Sequence, residues 1–168
     1  MAATSITLDD GTRLTVRPID MDDTDRLMAM HLRLSPGTVR RRFFALLPEL
    51  DPKQAHRFTH VDGNDRAAVV AVNDAGDLVG VARYDRFDGT QDAEVAVVVQ
   101  DSYQHHGLGT ALLTELTTYA RAHGIERFVA DVLMENSPMF ATFSDVGLVG
   151  TSEYSSGVAH LVMTLPPA

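Results

Sequence analysis

One short stretch of the chain contains a lone glutamate, two adjacent histidines and a turn with two glycines. Glu94 is the only charged residue in the apolar segment Ala93–Val99, and a carboxylate among apolar side chains is a candidate general base. The turn follows, with Gln104, Gly107 and Gly109 placed before an apolar-striped segment. Backbone N–H groups at a helix start bind anions, and glycines allow close approach. The turn is therefore suited to a phosphate, although a tight turn without any ligand also fits these glycines.

Two common phosphate-binding loops match this turn poorly. A P-loop requires Gly-Lys-Ser/Thr, whereas Thr110 and Ala111 follow Gly109. A dinucleotide fingerprint requires a third small residue where Leu112 stands. Asp131 lies at the spacing of a ribose-binding carboxylate, but the turn follows several hairpin strands rather than opening a strand–helix–strand unit. Both alternatives are therefore disfavoured.

The adjacent histidines, His105 and His106, raise the question of a metal ion. Neighbouring residues rarely bind one ion together, and no companion cluster of cysteine or histidine lies at ligand spacing. We therefore expect no metal site. The two side chains are predicted to face solvent or to make contacts near an anion.

The first half of the chain predicts a hairpin followed by helices. Period-2 apolar residues flank Asp9-Asp10-Gly11, which indicates a hairpin turn. A helical pattern then begins at Asp20, and its inner face carries Leu27, Met30, His31 and Leu34. The cap-plus-proline pairs Ser35-Pro36 and Asp51-Pro52 predict two further helices, the second ending near His60.

The second half predicts a meander and then alternating helices and strands. Apolar runs separated by turns predict the strands Ala67–Val72, Leu78–Tyr84, Ala93–Val99, Ile125–Leu133, Leu148–Glu153 and Val158–Leu165. Helices are predicted from Leu108 to the cap at Gly124 and from Ser137-Pro138 to Gly147. A strand–helix–strand unit after a meander implies one parallel pair in a mixed sheet. We expect a single α/β domain over residues 1–168.

Composition excludes several classes of protein. The formal net charge of −9 disfavours nucleic-acid binding and is compatible with a cationic partner such as an amine. No apolar run approaches the length of a membrane span, and the first residues lack the features of a signal peptide. The absence of cysteine excludes disulfides and thiolate ligands. The expectation is a cytoplasmic protein without membrane association.

Two motifs in order resemble those of the GNAT acyltransferases. The turn resembles their Gln/Arg-x-x-Gly-x-Gly/Ala motif, and a second segment resembles their asparagine-led helix, with Asn136, Met139, Phe143 and Gly147. The resemblance implies the GNAT fold, a mostly antiparallel mixed sheet with a splayed central parallel strand pair and helices on both faces. It also implies that the turn binds the pyrophosphate of acetyl-CoA.

Five segments resemble more narrowly the catalytic domain of bacterial Pat-type protein lysine acetyltransferases: DGTRLTVRPI, LSPGTVRRRFF, GVARYDR, AEVAVVV and RFVADVLMEN. This resemblance implies transfer of an acetyl group from acetyl-CoA to an amine, a protein lysine above all. Acetylation of a small amine or an N-terminus, and a non-catalytic CoA-binding regulatory module, remain the alternatives.

The resemblance also implies roles for individual residues. Backbone groups at the end of the predicted strand Ala93–Val99 are predicted to bind the pantetheine arm and to polarise the thioester carbonyl. The residues predicted to contact acetyl-CoA are Val97, Val98, Val99, Gln104, His105, His106, Gly107, Leu108, Gly109, Thr110 and Asn136. Glu94 matches the general base of the Pat-type pattern. Its chemistry alone favours an exposed strand face or an ion pair with Arg83, and the match of Ala93-Glu94-Val95 to the Pat-type pattern reverses this preference.

One position departs from the common family pattern. Many relatives have a tyrosine seven residues after the asparagine as general acid, and this chain has Phe143. Tyr103 and Tyr154 are the candidates to replace it, and no general acid is assigned. Arg40, Arg41 and Arg42 are expected to be a solvated helix face, with gating of the acceptor site as the alternative, and Tyr84 and Asp85 are candidates to shape that site.

Overall fold

The computed structural model describes all 168 residues as one eight-stranded sheet with five α-helices. The strands are β1 (Thr4–Thr7), β2 (Arg13–Pro18), β3 (Arg66–Val72), β4 (Leu78–Arg86), β5 (Asp92–Val99), β6 (Arg127–Leu133), β7 (Val149–Ser155) and β8 (Val158–Thr164). The helices are α1 (Thr24–Leu32), α2 (Pro36–Phe43), α3 (Pro52–Thr59), α4 (Leu108–Ala122) and α5 (Ser137–Asp145). No helix combines the length and the apolar character that crossing a membrane requires.

The sheet has the strand order β1-β2-β3-β4-β5-β6-β8-β7, and β5–β6 is its single parallel pair. All other neighbours are antiparallel. The helix α4 connects the two parallel strands, as the strand–helix–strand pattern predicted. The predicted mixed α/β architecture is thereby confirmed.

Two apolar cores lie on opposite faces of the sheet. The larger one packs α4 and α5 against the sheet, with Leu112 and Leu116 of α4 fully buried. Gly80 permits this contact, because a β-carbon at that position would lie 2.8 Å from Cδ1 of Leu112. The smaller core packs Leu27 and Met30 of α1 and the start of α3 against the other face. Helices on both faces are therefore a property of the observed fold.

The predicted helix caps are present, with one adjustment. Ser35 Oγ accepts the Thr38 N–H at 3.2 Å, and Asp51 accepts the Lys53 N–H at 2.7 Å. Asp20 caps a single 3₁₀ turn, Met21–Asp23, and the α-helix begins only at Thr24. The predicted inner face of α1 is also observed, and its buried His31 donates from Nε2 to the Leu47 carbonyl at 2.6 Å.

A buried ion pair joins β2 to the start of α1. The fully buried Asp23 carboxylate accepts hydrogen bonds from Arg17 at 2.7 and 2.8 Å and from the Asp20 N–H at 2.8 Å. Arg26 adds a third guanidinium contact at 3.1 Å. Burial by itself would raise the pKa of Asp23, but these donors outweigh it and hold the pKa below its ordinary value.

We predict that Asp23→Asn lowers the free energy of unfolding at pH 7 by about 3 kcal/mol, since Arg17 keeps its charge and loses its partner. The folded-state pKa is depressed, so the carboxylate stabilises the protein fully above its unfolded pKa. That stabilisation is lost as the pH falls through the folded pKa. Urea unfolding of both proteins should therefore show a stability difference that shrinks below about pH 4. A difference that stays constant down to pH 2 would contradict the assignment.

Candidate active site

The two parallel strands at the centre of the sheet separate after three residue pairs. The register joins Asp92 to Arg127, Ala93 to Phe128 and Glu94 to Val129, and no pairing of β5 with β6 follows. β5 remains paired with β4 through Val99. The edge of β5 that faces β6 is therefore unpaired beyond Glu94, as the splayed pair predicts.

The separation opens a cleft of about 950 Å³, at the upper end of the range of about 300–1,000 Å³ that is typical of ligand pockets. One wall is formed by β5 and by α2, which contacts it, and the other by β6 and α5. The turn between β5 and α4 closes one end. All predicted cofactor contacts line the cleft except His106.

The turn presents a row of free backbone donors. No N–H group from His105 to Thr110 donates to an acceptor within the protein, and α4 has no side-chain cap at its N-terminus. His105 and Gly107 have left-handed backbone conformations, with φ of 67° and 87°. Successive N–H groups with alternating backbone handedness form an anion-binding concavity. The turn therefore has the donor set that a pyrophosphate requires.

The side chain of Gln104 braces the turn. Its Nε2 donates to the Val99 carbonyl at 2.9 Å and to Thr38 Oγ1 at 3.1 Å. Asp101 adds to this link, because its carboxylate accepts from Ser35 Oγ at 2.6 Å and from Thr38 Oγ1 at 3.0 Å. The glutamine thus holds the turn to β5 and to α2, a role that its position in the motif did not reveal.

The two histidines have different surroundings. The exposed His105 lines the cleft, whereas the His106 ring lies outside it, with Nδ1 2.8 Å from Oδ1 of Asp9 and Nε2 3.8 Å from Oδ2 of Asp10. Folding thus gives His106 carboxylate neighbours that spacing along the chain did not show. The contact of His106 with Asp9 joins the β1–β2 hairpin to the turn, and the ligand atoms of Asp9, Asp10 and His106 lie within 4.8 Å of one another.

The remaining predicted cofactor residues line the walls of the cleft. Val97, Val98 and Val99 lie on the unpaired edge of β5, where alternate backbone groups face the cleft. Asn136 precedes α5, and its half-buried side chain has no hydrogen-bond partner in the protein. Its amide is therefore free to bind a ligand.

Glu94 lies at the last paired position, where the two strands begin to separate. Its side chain lines the cleft and is exposed, so it lacks the apolar enclosure expected from its sequence neighbours. The alternative pairing with Arg83 is also absent, because Arg83 contacts Asp85 at 3.6 Å. Asp85 lies opposite Glu94 on β4 and forms a second ion pair with Arg66 at 3.1 Å. Asp85 thus remains a candidate to shape the acceptor site.

The tyrosines that were candidates for the general acid or for the acceptor site lie in different surroundings. Tyr103 lines the cleft, and its hydroxyl accepts from Asn73 at 3.3 Å. Tyr154 lies exposed on β7, outside the cleft. Tyr84 is fully buried in the larger core and donates to the Asn64 carbonyl, so the suggestion that it shapes the acceptor site is wrong. The buried Phe143 ring lines the cleft without a polar atom.

The three consecutive arginines of α2 are not one solvated face. Arg40 pairs with Glu135, which lies just before α5, and Arg41 donates to Thr38 Oγ1 at 3.1 Å. Arg42 turns inward onto the Phe43 and Phe58 rings, and burial lowers the pKa of its guanidinium. Sequence reasoning missed Arg42, since a helix of eight residues with three adjacent arginines does not show which of them faces the protein.

Comparison with known proteins agrees with this geometry. Residues 34–147 match the sequence model of the acetyltransferase (GNAT) family. Acetyltransferase PA5475 of Pseudomonas aeruginosa is 32% identical over 146 residues, covering 85% of this chain and 78% of that protein. Acetyltransferase Pat of Mycolicibacterium smegmatis is 31% identical over 155 residues, covering 90% of this chain and 46% of that protein, so the chain spans about half of that relative's length.

A solved structure matches over nearly the whole chain. The GNAT domain of S. lividans PAT has a TM-score of 0.90 and 37% sequence identity, with 97% of both chains covered. The predicted fold class and the resemblance to Pat-type domains are therefore confirmed. The chain belongs to the acetyltransferase (GNAT) family and is an acetyl-CoA-dependent acetyltransferase.

Proposed function

We propose that this protein transfers the acetyl group of acetyl-CoA directly to an amine, a lysine side chain of a protein, with Glu94 as general base. The observation that carries the proposal is the position of Glu94 at the point where β5 and β6 separate. A carboxylate there lies beside the unpaired strand edge on which the family resemblance predicts the thioester. No cysteine is available for an acyl-enzyme intermediate, which supports direct transfer.

The chain's own groups fit acetyl-CoA. The free N–H groups from His105 to Thr110 would bind the pyrophosphate, and the unpaired edge of β5 at Val97–Val99 would hydrogen-bond the pantetheine arm. The free amide of Asn136 faces the same cleft and would bind the cofactor from the opposite wall. His106 would contribute its backbone N–H only, since its ring lies against Asp9.

The chemistry requires a neutral amine, and a lysine amine has an ordinary pKa of about 10.4. Glu94 would accept a proton from the amine, directly or through water, as the nitrogen forms a bond to the acyl carbon. Backbone N–H groups of β5 would stabilise the developing oxyanion. The carbon–sulfur bond then breaks and the thiolate leaves. Phe143 cannot protonate it, and Tyr103 is the tyrosine that lines the cleft.

Two observations support a cationic acceptor. Glu94 and Asp85 lie opposite each other on adjacent strands, and Glu94 has no cationic partner within ion-pair distance. Asp85 is already paired with Arg66 and Arg83, so Glu94 is the carboxylate of the two that is available to an ammonium group. The relationship to Pat proteins favours a lysine of a protein over a small amine.

We predict that Glu94→Gln lowers kcat by about 10²–10⁴-fold, because the amide cannot accept the proton. Binding of acetyl-CoA, measured by calorimetry, should be retained, since the turn and the β5 edge are unchanged. Glu153→Gln, on the exposed strand β7, is the matched control and should keep wild-type turnover. Wild-type turnover in the Glu94 variant would remove it as the base.

A second prediction concerns the turn and compares two glycines with positive φ. Gly107 and Gly89 have φ of 87° and 71°, and open space surrounds the position of a β-carbon in each. A leucine at either position should cause a similar strain of about 1–2 kcal/mol. Only Gly107→Leu should weaken acetyl-CoA binding, by about tenfold or more, because its side chain stands among the free N–H groups. Equal affinities of the two variants would contradict the pyrophosphate assignment.

A third prediction concerns the acceptor. Incubation of the protein with labelled acetyl-CoA and a cell lysate should label protein lysines, identified by peptide mass spectrometry. The Glu94→Gln variant is the control for non-enzymatic acetylation. Label confined to small molecules or N-termini would replace lysine as the acceptor. The absence of any enzyme-dependent label would favour a CoA-binding regulatory module.

A further inference from the structure

Arg42 lines the active-site cleft with an unpaired guanidinium. Arg41, the other arginine in the lining, donates to Thr38, whereas Arg42 makes no hydrogen bond and no ion pair. Its guanidinium carbon lies 4.6 Å from the centre of the Phe43 ring and 5.8 Å from that of Phe58. Aromatic faces stabilise the cation in part but leave its five N–H donors free.

A second arginine, which is buried, packs on the Phe58 ring as well. Arg83 is 5% exposed, and its guanidinium carbon lies 4.1 Å from the centre of the Phe58 ring. Its Nη1 donates to the Phe58 carbonyl at 3.3 Å. Its Nε is buried without a hydrogen bond and lies 3.6 Å from Oδ2 of Asp85.

Both arginines line a small cavity of about 30 Å³, roughly the volume of one water molecule. The rest of its lining is mostly apolar and includes Leu27, Met30, Leu34, Leu50 and Val81. The cavity and the cleft share Arg42, Phe43, Ala96 and Val98. The cavity therefore adjoins the cleft beside β5, on whose edge the proposed function places the thioester.

Glu94 and Asp85 are the acidic groups whose charges act on the Arg42 guanidinium, and neither forms an ion pair with it. Asp85 is shared by Arg66 and Arg83, and Glu94 is reserved for the amine in the proposed function. Burial lowers the pKa of Arg42 and lowers that of Arg83 to about 10, which keeps Arg83 charged at neutral pH. A guanidinium group is in general not deprotonated in proteins. The half-buried Arg42 guanidinium has no hydrogen-bond partner, and a carboxylate is the planar anion that a guanidinium binds through two hydrogen bonds.

We infer that Arg42, supported by Arg83, forms a carboxylate subsite in the cleft, so that the protein accepts acyl-CoA donors whose acyl chain ends in a carboxylate, of the succinyl type. The inference rests on the proposed function, because it places the acyl group beside β5. The bonds formed and broken are those of acetyl transfer, and the terminal carboxylate is unchanged by the reaction.

The test compares succinyl-CoA with butyryl-CoA, which have four-carbon acyl chains and differ in the terminal carboxylate. Calorimetry measures the dissociation constant of each for the wild type, for Arg42→Gln and for Arg42→Lys. Arg127→Gln, which breaks an exposed ion pair with Asp92 away from the cleft, is the matched control. Circular dichroism and thermal unfolding check that every variant is folded.

The ratio to compare is the dissociation constant of butyryl-CoA divided by that of succinyl-CoA. It should be about ten or more for the wild type and for Arg127→Gln, and Arg42→Gln should reduce it to near one. Arg42→Lys, which keeps the charge but not the two-bond geometry, should give an intermediate ratio. A wild-type ratio at or below one overturns the inference, as does a ratio that Arg42→Gln leaves unchanged. The measurement needs no turnover, so the absence of transfer to any amine would overturn the proposed function separately.

Discussion

The separation of β5 from β6 after three residue pairs is the constraint on which the rest of the site depends. Backbone N–H and C=O groups in a protein interior must be paired, and the parallel ladder stops at Glu94 and Val129. Beyond that point the unpaired edge of β5 lines a cleft of about 950 Å³. The same separation brings the end of the ladder, which carries a carboxylate, next to the edge that would hold a thioester. A ladder continued to the ends of both strands would remove the cleft and the free backbone donors together.

The wall formed by α2 is held by polar contacts more than by apolar packing. Only Thr38 and Val39 of this short helix are buried, and its start is tied through Ser35 and Thr38 to Asp101. Gln104 joins Thr38 to the same network and to the end of β5. The helix that carries the cleft arginines and the turn that carries the free N–H groups are thus connected by hydrogen bonds. A displacement of one must break or move bonds to the other.

The distribution of charge in the cleft differs from that of the whole protein. The chain has a formal net charge of −9, yet its cleft offers the free N–H groups of the turn and the guanidinium groups of Arg41 and Arg42. This arrangement suits a donor that carries phosphates, because a helix start and guanidinium groups both favour anions. Carboxylates line the cleft as well, namely Glu94, Asp131 and Asp145, and Glu94 lies where the amine would react. In the proposed function, the free N–H groups of the turn thus bind the phosphates of the donor, and the Glu94 carboxylate serves the amine.

Local patterns in the sequence determined the secondary structure and the family. Caps such as Ser35-Pro36, the apolar stripe of α4 and the glycines of the turn act over a few residues, so the chain displays them directly. Contacts between distant residues were decided only by the tertiary structure: Gln104 meets Thr38 across 66 positions, and His106 meets Asp9 across 97. The tertiary structure also decided that Arg42 turns inward, that Glu94 is exposed and that Tyr84 is buried. The physical reason is that the burial of a side chain and its interaction partners depend on which helices and strands pack together. A single sequence does not show that packing directly.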